Sequence, residues 1–392
     1  MDNSILADAC NIKTGKLDSN QAVKGGQYPF FTCSSLPDTI DRFAFDEDVV
    51  LVAGNNAQGN FHISRFKGKF NAYQRTYILT SKPNYDIDFI FYSLKLELKR
   101  LKEKSQGSQT KFLTMPILNN IVLRKLNLSQ QQKTASVLSS LDSKIELNNR
   151  INAELESMAK TLYDYWFVQF DFPDENGKPY KSSGGKMVWN EELKREIPDI
   201  ADWKVTTLSN AVNIFDSKRI PLSNMEREKR KGKYPYYGAT SIMDYVDDYI
   251  FDGEYILLAE DGSVMDENGF PIVQYIWGKT WVNNHAHILQ HKNELNNNFL
   301  FYLLKSISVI QIMTGSIQKK INQENLLNVK VIYPDNHTLE SFSKISTSIR
   351  KKLITIYEEN QQLSELRDWL LPMLMNGQVS VKGDEEEMGN IN

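Results

Sequence analysis

The chain has 392 residues, of which 41% are apolar and 24% charged, with a net charge of −3 and only two cysteines. That suits two or three ordinary globular domains and excludes a disulfide framework, leaving Cys10 and Cys33 as small buried residues. No stretch approaches about 18 consecutive apolar residues, and the opening MDNSILADACNIK lacks the basic-then-apolar layout of a signal peptide, so the expected compartment is the cytoplasm.

The first half mixes strand and helix signals. GQYPFF at Gly26–Phe31 reads as a structural turn; DVVLVA from Asp48 and YILT from Tyr77 read as strands by their β-branched and aromatic content. Phe89 to Lys104 carries apolar residues at helical spacing and reads as an amphipathic helix. Between these lie polar loops: GNNAQGN at 54–60, YQR at 73–75 and GSQTK at 107–111.

From Ser129 the character changes, with no proline before Pro173 and no glycine before Gly177. Ser129 with Gln132 makes a capping box. Steps of three and four then pass through Leu138, Leu141, Ile145, Asn148, Asn152, Leu155, Ala159, Leu162 and Trp166, a coiled-coil seam. A Gly-, Pro- and charge-rich stretch at 171–199 reads as a linker to a second globule.

That second globule repeats the first. GKYPYY at Gly232–Tyr237 matches GQYPFF at an offset of 206, and FDGEYILLAE from Phe251 matches FDEDVVLVAG from Phe45 at the same offset. At offset 210, Gly278-Lys279 faces Gly68-Lys69, Ile288-Leu289 faces Ile78-Leu79, and FLFYLLK from Phe299 faces FIFYSLK from Phe89. The offset drifts only between apolar segments, as expected of a duplicated domain whose insertions collect in loops. Its polar loops, EDGS at 260–263, NNH at 283–285 and GSIQKK at 315–320, occupy corresponding places with different residues. After Pro334 a second seam runs through Ile349, Leu353, Ile356, Asn360, Leu363, Arg367, Leu370 and Leu374, with Pro372 kinking or fraying its last turns and Asn376-Gly377 stopping it. Asn148 and Asn360 sit where a seam amide fixes register. An antiparallel pair of such helices would set the globules at opposite ends of a spacer.

Catalytic signatures are missing: no phosphate-binding G-x-x-x-x-G-K-[ST], no G-x-S-x-G elbow, no H-E-x-x-H, no G-x-G-x-x-G and no Asn-Pro-Pro-aromatic sequence. His285 and His287 could share a strand face as metal ligands but lack a third partner, which favours hydrogen-bonding roles and no metal site. The amide, hydroxyl and cationic residues of the loops suit base edges and phosphates, and their divergence between otherwise matching halves suits a two-part, asymmetric target. Net acidity is awkward for a chain binding nucleic acid alone. Locally, Ser217–Lys233 holds seven basic residues against two acidic ones, and LKLELKRLKEK from Leu94 is basic-leaning.

Taken together, GQYPFF and GKYPYY, GSQTKFLTMPILNNIVL and GSIQKKINQENLLNVKV, and the helix ends LESMAKTLYDYWFVQFDF and NQQLSELRDWLLPMLMNGQV resemble the specificity subunit of type I restriction-modification systems over nearly the whole length. The resemblance implies an α+β fold with two tandem, pseudo-repeated α/β target recognition domains, at 1–128 and 200–337. Between and after them stand two long helices, at 129–170 and 338–376, forming an antiparallel coiled coil, and the acidic tail at 377–392 is expected to be disordered. Each domain would read one half of a bipartite double-stranded DNA target. The helices would dock two methyltransferase (modification) subunits that bind S-adenosylmethionine and methylate adenine N6; motor-nuclease (restriction) subunits using ATP and Mg2+ would join for cleavage. The chain itself would bind no cofactor or metal and perform no catalysis. Candidate DNA-contacting residues are Tyr28, Tyr73, Gln74, Arg75, Gly107, Ser108, Gln109 and Lys111 in the first domain. In the second they are Lys218, Arg219, Tyr237, Asn283, Asn284, His285, Gly315, Ser316, Gln318 and Lys319. The first domain lacks a counterpart to the lead-in IPDIADWKVTTL. Two other readings stay open on sequence alone: a coiled-coil scaffold without DNA readout, and an enzyme with an unrecognised site.

Overall fold

Side chains along the strand Phe45–Ala53 alternate between two cores, and the first half of the chain is built around that division. The structure, a computed structural model, describes residues 3–54, 61–104, 113–314 and 319–381. Val50 and Val52 pack with Leu79 under the helix Ile87–Lys104, which meets them through Ile90, Leu94 and Leu98. Val49 and Leu51 join Phe31, Phe70 and Ile78 on the opposite face. The helix is not simply amphipathic: Phe89, Tyr92 and Leu96 bury a second stripe against Ala135, Leu138, Leu371 and Leu374.

Six strands make this sheet, in the order Cys10–Thr14, Thr76–Ser81, Phe45–Ala53, Ile63–Ala72, Tyr28–Phe31, Asp38–Ile40. All neighbours are antiparallel except Tyr28–Phe31, which runs parallel to Ile63–Ala72. The hexapeptide is therefore a strand and not a turn. Its repeated glycine has a steric reason: a Cβ on Gly26 would lie 2.5 Å from the Ile40 carbonyl carbon, and one on Gly232 would lie 2.4 Å from Val246 O.

The second half repeats the order with one change. Val212–Ile214, Ala286–His291, Tyr255–Ala259 and Val273–Ile276 form one four-stranded sheet, and Phe251–Asp252, Lys279–Val282, Lys231–Tyr237 and Ile242–Val246 another. The two long central strands of the first copy are each cut in two. The cuts fall at Gly253 (φ 137°) and Gly278 (φ 70°), backbone conformations that side chains disfavour. Outside both sheets, Asn3–Ile5 pairs with Val122–Arg124 just as Lys204–Thr207 pairs with Lys330–Tyr333.

Long helices span Leu128–Tyr163, continued by a π-helical turn at Asp164–Val168, and Asn336–Met375. The first begins one residue earlier than expected and is capped differently. Asn127 Oδ1 accepts from Gln130 N at 2.9 Å and Gln130 Oε1 accepts from Asn127 N at 3.2 Å, so the capping box is Asn127–Gln130 and not Ser129–Gln132. Buried Gln131 locks this choice, donating to Asn84 O and Leu126 O and accepting from Asp86 N. In the second copy Asp335 stands in the equivalent place, accepting from Thr338 N at 2.9 Å, Thr338 Oγ1 at 2.6 Å and Trp203 Nε1 at 2.7 Å. The second helix ends at Gly377 (φ 75°), whose N–H donates to Leu374 O, and Pro372 is accommodated inside it.

The chain divides into two compact units, residues 1–149 with 357 onward, and 150–356, so each long helix contributes to both. In the first unit the helical segments run antiparallel: Arg367 Nη1 donates to Asp142 Oδ1 at 2.8 Å, and Asn148 Nδ2 to Asn360 Oδ1 at 2.9 Å and Glu359 Oε2 at 2.7 Å. The seam residues are withdrawn from solvent. Asn148, Leu353 and Ile356 are buried; Leu141, Ile145, Leu155, Leu162, Ile349, Asn360, Leu363 and Leu370 are half-buried. In the second unit Phe342 lies 5.9 Å from Trp166 and 5.0 Å from Phe167, ring to ring. Residues 171–199 are folded as well. Phe172 stacks between Tyr180 and Trp203, Asp171 accepts from Ser182 N and Oγ, and Met187–Asn190 pairs with Arg195–Pro198. The acidic stretch 382–392 lies outside the described residues.

Two outcomes follow from these contacts. Asn148→Ala removes the buried seam amide that donates to Asn360 and Glu359, leaving Glu359 to Lys144 alone, and should cost about 1–3 kcal/mol in denaturant unfolding, whereas Asn148→Leu with Asn360→Leu should recover much of it. For Asp335, burial works to raise the carboxyl, but the Thr338 and Trp203 donors outweigh it and hold it below the usual carboxylate range. Its contribution is thus present at neutral pH and lost as pH falls through that depressed value; Asp335→Ala should flatten the acid limb of the stability curve.

Candidate nucleic-acid interface

Three chain segments cross in the first unit. The turn Tyr73–Arg75 links Ile63–Ala72 to Thr76–Ser81, and Tyr73 N donates to Phe31 O at 2.9 Å. Gly54 N donates to Arg75 O at 2.8 Å, and Leu113 N donates to Gly54 O at 3.0 Å. The chain that leaves at Gly54 and the chain that returns at Leu113 are thereby tied to the turn. No side chain fits at the crossing, since a Cβ on Gly54 would lie 2.6 Å from Arg75 O. Gln74 and Arg75 are exposed, with Gln74 Nε2 donating to Asp18 Oδ1 at 2.7 Å; Tyr73 is half-buried, as is Tyr28, which packs on Phe43.

The second unit reproduces the three bonds. Asn283 N donates to Tyr237 O at 3.0 Å, Glu260 N to His285 O at 2.9 Å, and Ile321 N to Glu260 O at 2.9 Å. Only the side chains differ. Asn283 is buried and braces the turn by accepting from His285 N at 2.8 Å, while Asn284 and His285 are exposed, with His285 Nδ1 2.7 Å from Asp261 Oδ1. Lys218 is exposed with its ammonium over the Phe215 ring, and Lys319 is half-buried near Met265 Sδ.

Where the first copy has Gly54, Glu260 anchors an ionic cluster. Arg219, 15% exposed, donates to Glu260 Oε2 at 2.6 Å, Ala286 O at 2.9 Å and Asp216 O at 3.0 Å, while Lys320 Nζ lies 3.0 Å from Glu260 Oε1. Burial favours the neutral Glu260 acid, but the Arg219 and Lys320 cations prevail and hold its carboxyl below the usual range. Arg219 is therefore held inside the protein as a brace. Asp216, Glu260 and His287 bring one ligand atom each within 4.8 Å, yet they do not suit a metal ion. Arg219 already supplies the positive charge, and both His287 ring nitrogens face acceptors, Asp216 Oδ2 at 2.6 Å and Ile321 O at 2.8 Å.

Of the residues singled out from sequence, Tyr73, Gln74 and Arg75 share one crossing, and Asn283, Asn284, His285 and Lys319 the other. Tyr28 and Tyr237 lie on the strands beside them. Gly107, Ser108, Gln109, Lys111, Gly315, Ser316 and Gln318 lie outside the described residues. The basic run Ser217–Lys233 is largely neutralised: besides Arg219, Arg227 and Lys231 pair with Asp244, and Arg230 pairs with Asp247. Sequence reasoning missed Asp216 and Glu260, although a glutamate standing where the first copy has glycine was a visible signal. Arg219→Met, which leaves Glu260 without its main partner, should cost about 3 kcal/mol or more, read as a lowered unfolding midpoint of the 150–356 unit.

Among the described residues no helix is long and apolar enough to cross a membrane. The family model for the type I restriction modification DNA specificity domain matches residues 1–157 and 200–364. The specificity subunit of type I restriction enzyme EcoDI from Escherichia coli is 29% identical over 228 residues, 55% of this chain and 50% of that protein, so the match spans only half of that relative. The MjaVIII specificity subunit from Methanocaldococcus jannaschii is 23% identical over 91% of this chain and 87% of its own. In fold, the crystal structure of a type I restriction-modification S subunit from M. genitalium superimposes with a TM-score of 0.58 at 18% identity, covering 95% of this chain and 96% of that one. With both repeats matched, the chain belongs to the type I restriction modification DNA specificity domain family, as a specificity subunit carrying two target recognition domains.

Proposed function

We propose that each recognition domain reads one half of an asymmetric, bipartite DNA sequence, and that the long helices set the gap between the halves and dock two adenine-N6 methyltransferase subunits. The chain supplies address, not chemistry. S-adenosylmethionine would reside on the methyltransferases, and ATP with Mg2+ on motor-nuclease subunits that join for restriction. The observation that carries this reading is the duplicated crossing: three equivalent main-chain hydrogen bonds in each domain, presenting Gln74 and Arg75 in one and Asn284 and His285 in the other. Amide and cationic groups on a rigid frame are what base edges and phosphates call for. Exposed Leu366 and Trp369 on the second helix, and Met158 and Tyr165 on the first, offer apolar surface for partners.

Modified-base sequencing of cells expressing this chain with its cognate methyltransferase tests the reading. N6-methyladenine is expected at a single two-part motif, and only when the chain is present. Arg75→Ala should relax the half-site read by the first domain, by about 1–3 kcal/mol for a good base contact, and leave the other half unchanged. An assembled complex that methylates no motif would instead make the chain a scaffold.

A further inference from the structure

We propose that Tyr77 and His287 are equivalent positioning residues, one in each recognition domain, which latch the returning chain to the loop crossing, and that the second latch is charged and opens as pH rises. Each lies two residues beyond the turn residue of its crossing, Arg75 or His285. Tyr77 Oη donates to Leu113 O at 2.9 Å, and His287 Nε2 donates to Ile321 O at 2.8 Å. Leu113 and Ile321 are the residues whose N–H groups complete the two crossings. Both peptide groups of the re-entry point are thus pinned in each domain, through the same carbonyl, by a phenol in one and an imidazole in the other.

The chemistry of the two donors differs. A carbonyl only accepts, so His287 Nε2 must carry a proton; Nδ1 faces Asp216 Oδ2 at 2.6 Å, whose partner oxygen already accepts from Ile288 N. A ring that donates at both nitrogens is an imidazolium. Around it stand Asp216, Glu260 at 3.8 Å, Arg219 bridging those two carboxylates, and Lys320 on Glu260, with the His285–Asp261 pair next along the exposed turn. Burial favours the neutral ring, but the Asp216 hydrogen bond and charge outweigh it, so the His287 pKa lies above its ordinary value. The latch is therefore fully present below the ordinary histidine pKa and is lost as pH climbs through the raised one. Tyr77 is neutral across the same range, with burial pushing its phenol further up. A consequence for DNA, resting on the function proposed above, is that rising pH would weaken reading of the second half-site and spare the first.

The latch can be tested on the full-length chain without DNA, which separates its failure from failure of the DNA-reading assignment. In 15N-histidine spectra of the five histidines, assigned with His287→Gln, the His287 ring should show two imidazolium-type nitrogens at pH 7 and titrate above the ordinary histidine range. Hydrogen exchange, corrected for intrinsic rate, should show protection of segment 319–327 falling about tenfold to a hundredfold across that titration, as for loss of a charged hydrogen bond, while segment 113–121 holds. His287→Gln with Asp216→Asn, which keeps a neutral donor for Ile321 O, should hold protection and abolish its pH dependence; Tyr77→Phe should loosen 113–121 equally at every pH. A His287 ring that is neutral at pH 7, or protection of 319–327 that ignores its titration, overturns the proposal. Because both readouts come from the wild-type chain, they decide the matter even if a variant fails to fold.

Discussion

At Gly54 and at Glu260 a single residue gives its N–H to a turn and its carbonyl to the returning chain, and the loop crossing of each copy depends on that double tie. Main-chain bonds are indifferent to side-chain identity, so a surface built on them can change what it presents without changing how it is held. This is the physical condition for a duplicated domain whose copies diverge. The first copy packs the crossing so closely that only glycine fits, whereas the second opens it enough for a glutamate and then spends that carboxylate on Arg219 and Lys320.

The same economy governs charge. Arg219, Arg227, Arg230 and Lys231 stand in the most basic stretch of the chain, yet each is matched to a carboxylate brought in from elsewhere in the second copy. For Arg219 the cost of burial is offset by paired, hydrogen-bonded geometry, and its effect is to order the fold around the crossing. Lys218 and Arg75, by contrast, are left exposed.

Polar residues on the long helices act as register marks. An amide buried at a seam must find a partner, and Asn148 finds Asn360 and Glu359 only at one alignment; Asp142, shared by Tyr92 and Arg367, repeats the demand two turns away. The caps carry the duplication into the helices, with Asn127 and Asp335 at matching positions and different chemistry.

Much of this was legible in the sequence, for a definite reason. Local periodicity and the repeat are properties of neighbouring residues, so the central strands, the long helices and the two-copy plan could be read from spacing alone. The positions of the loops that vary between copies could be read too, because core segments bracket them. What the sequence left undecided depends on groups far apart along it. Asn127-x-x-Gln130 and Ser129-x-x-Gln132 fit the capping pattern equally, and only the burial of Gln131 against Asn84 and Asp86 selects the first. GQYPFF became a strand because Ile63–Ala72 offered a parallel edge. Arg219, a phosphate-contact candidate by type, became a brace because tertiary folding set Asp216 and Glu260 around it. The sequence by itself determined the repeated frame and its elements, since those follow from periodic burial; only the tertiary structure decided which polar side chains face inward, because their partners arrive from distant segments.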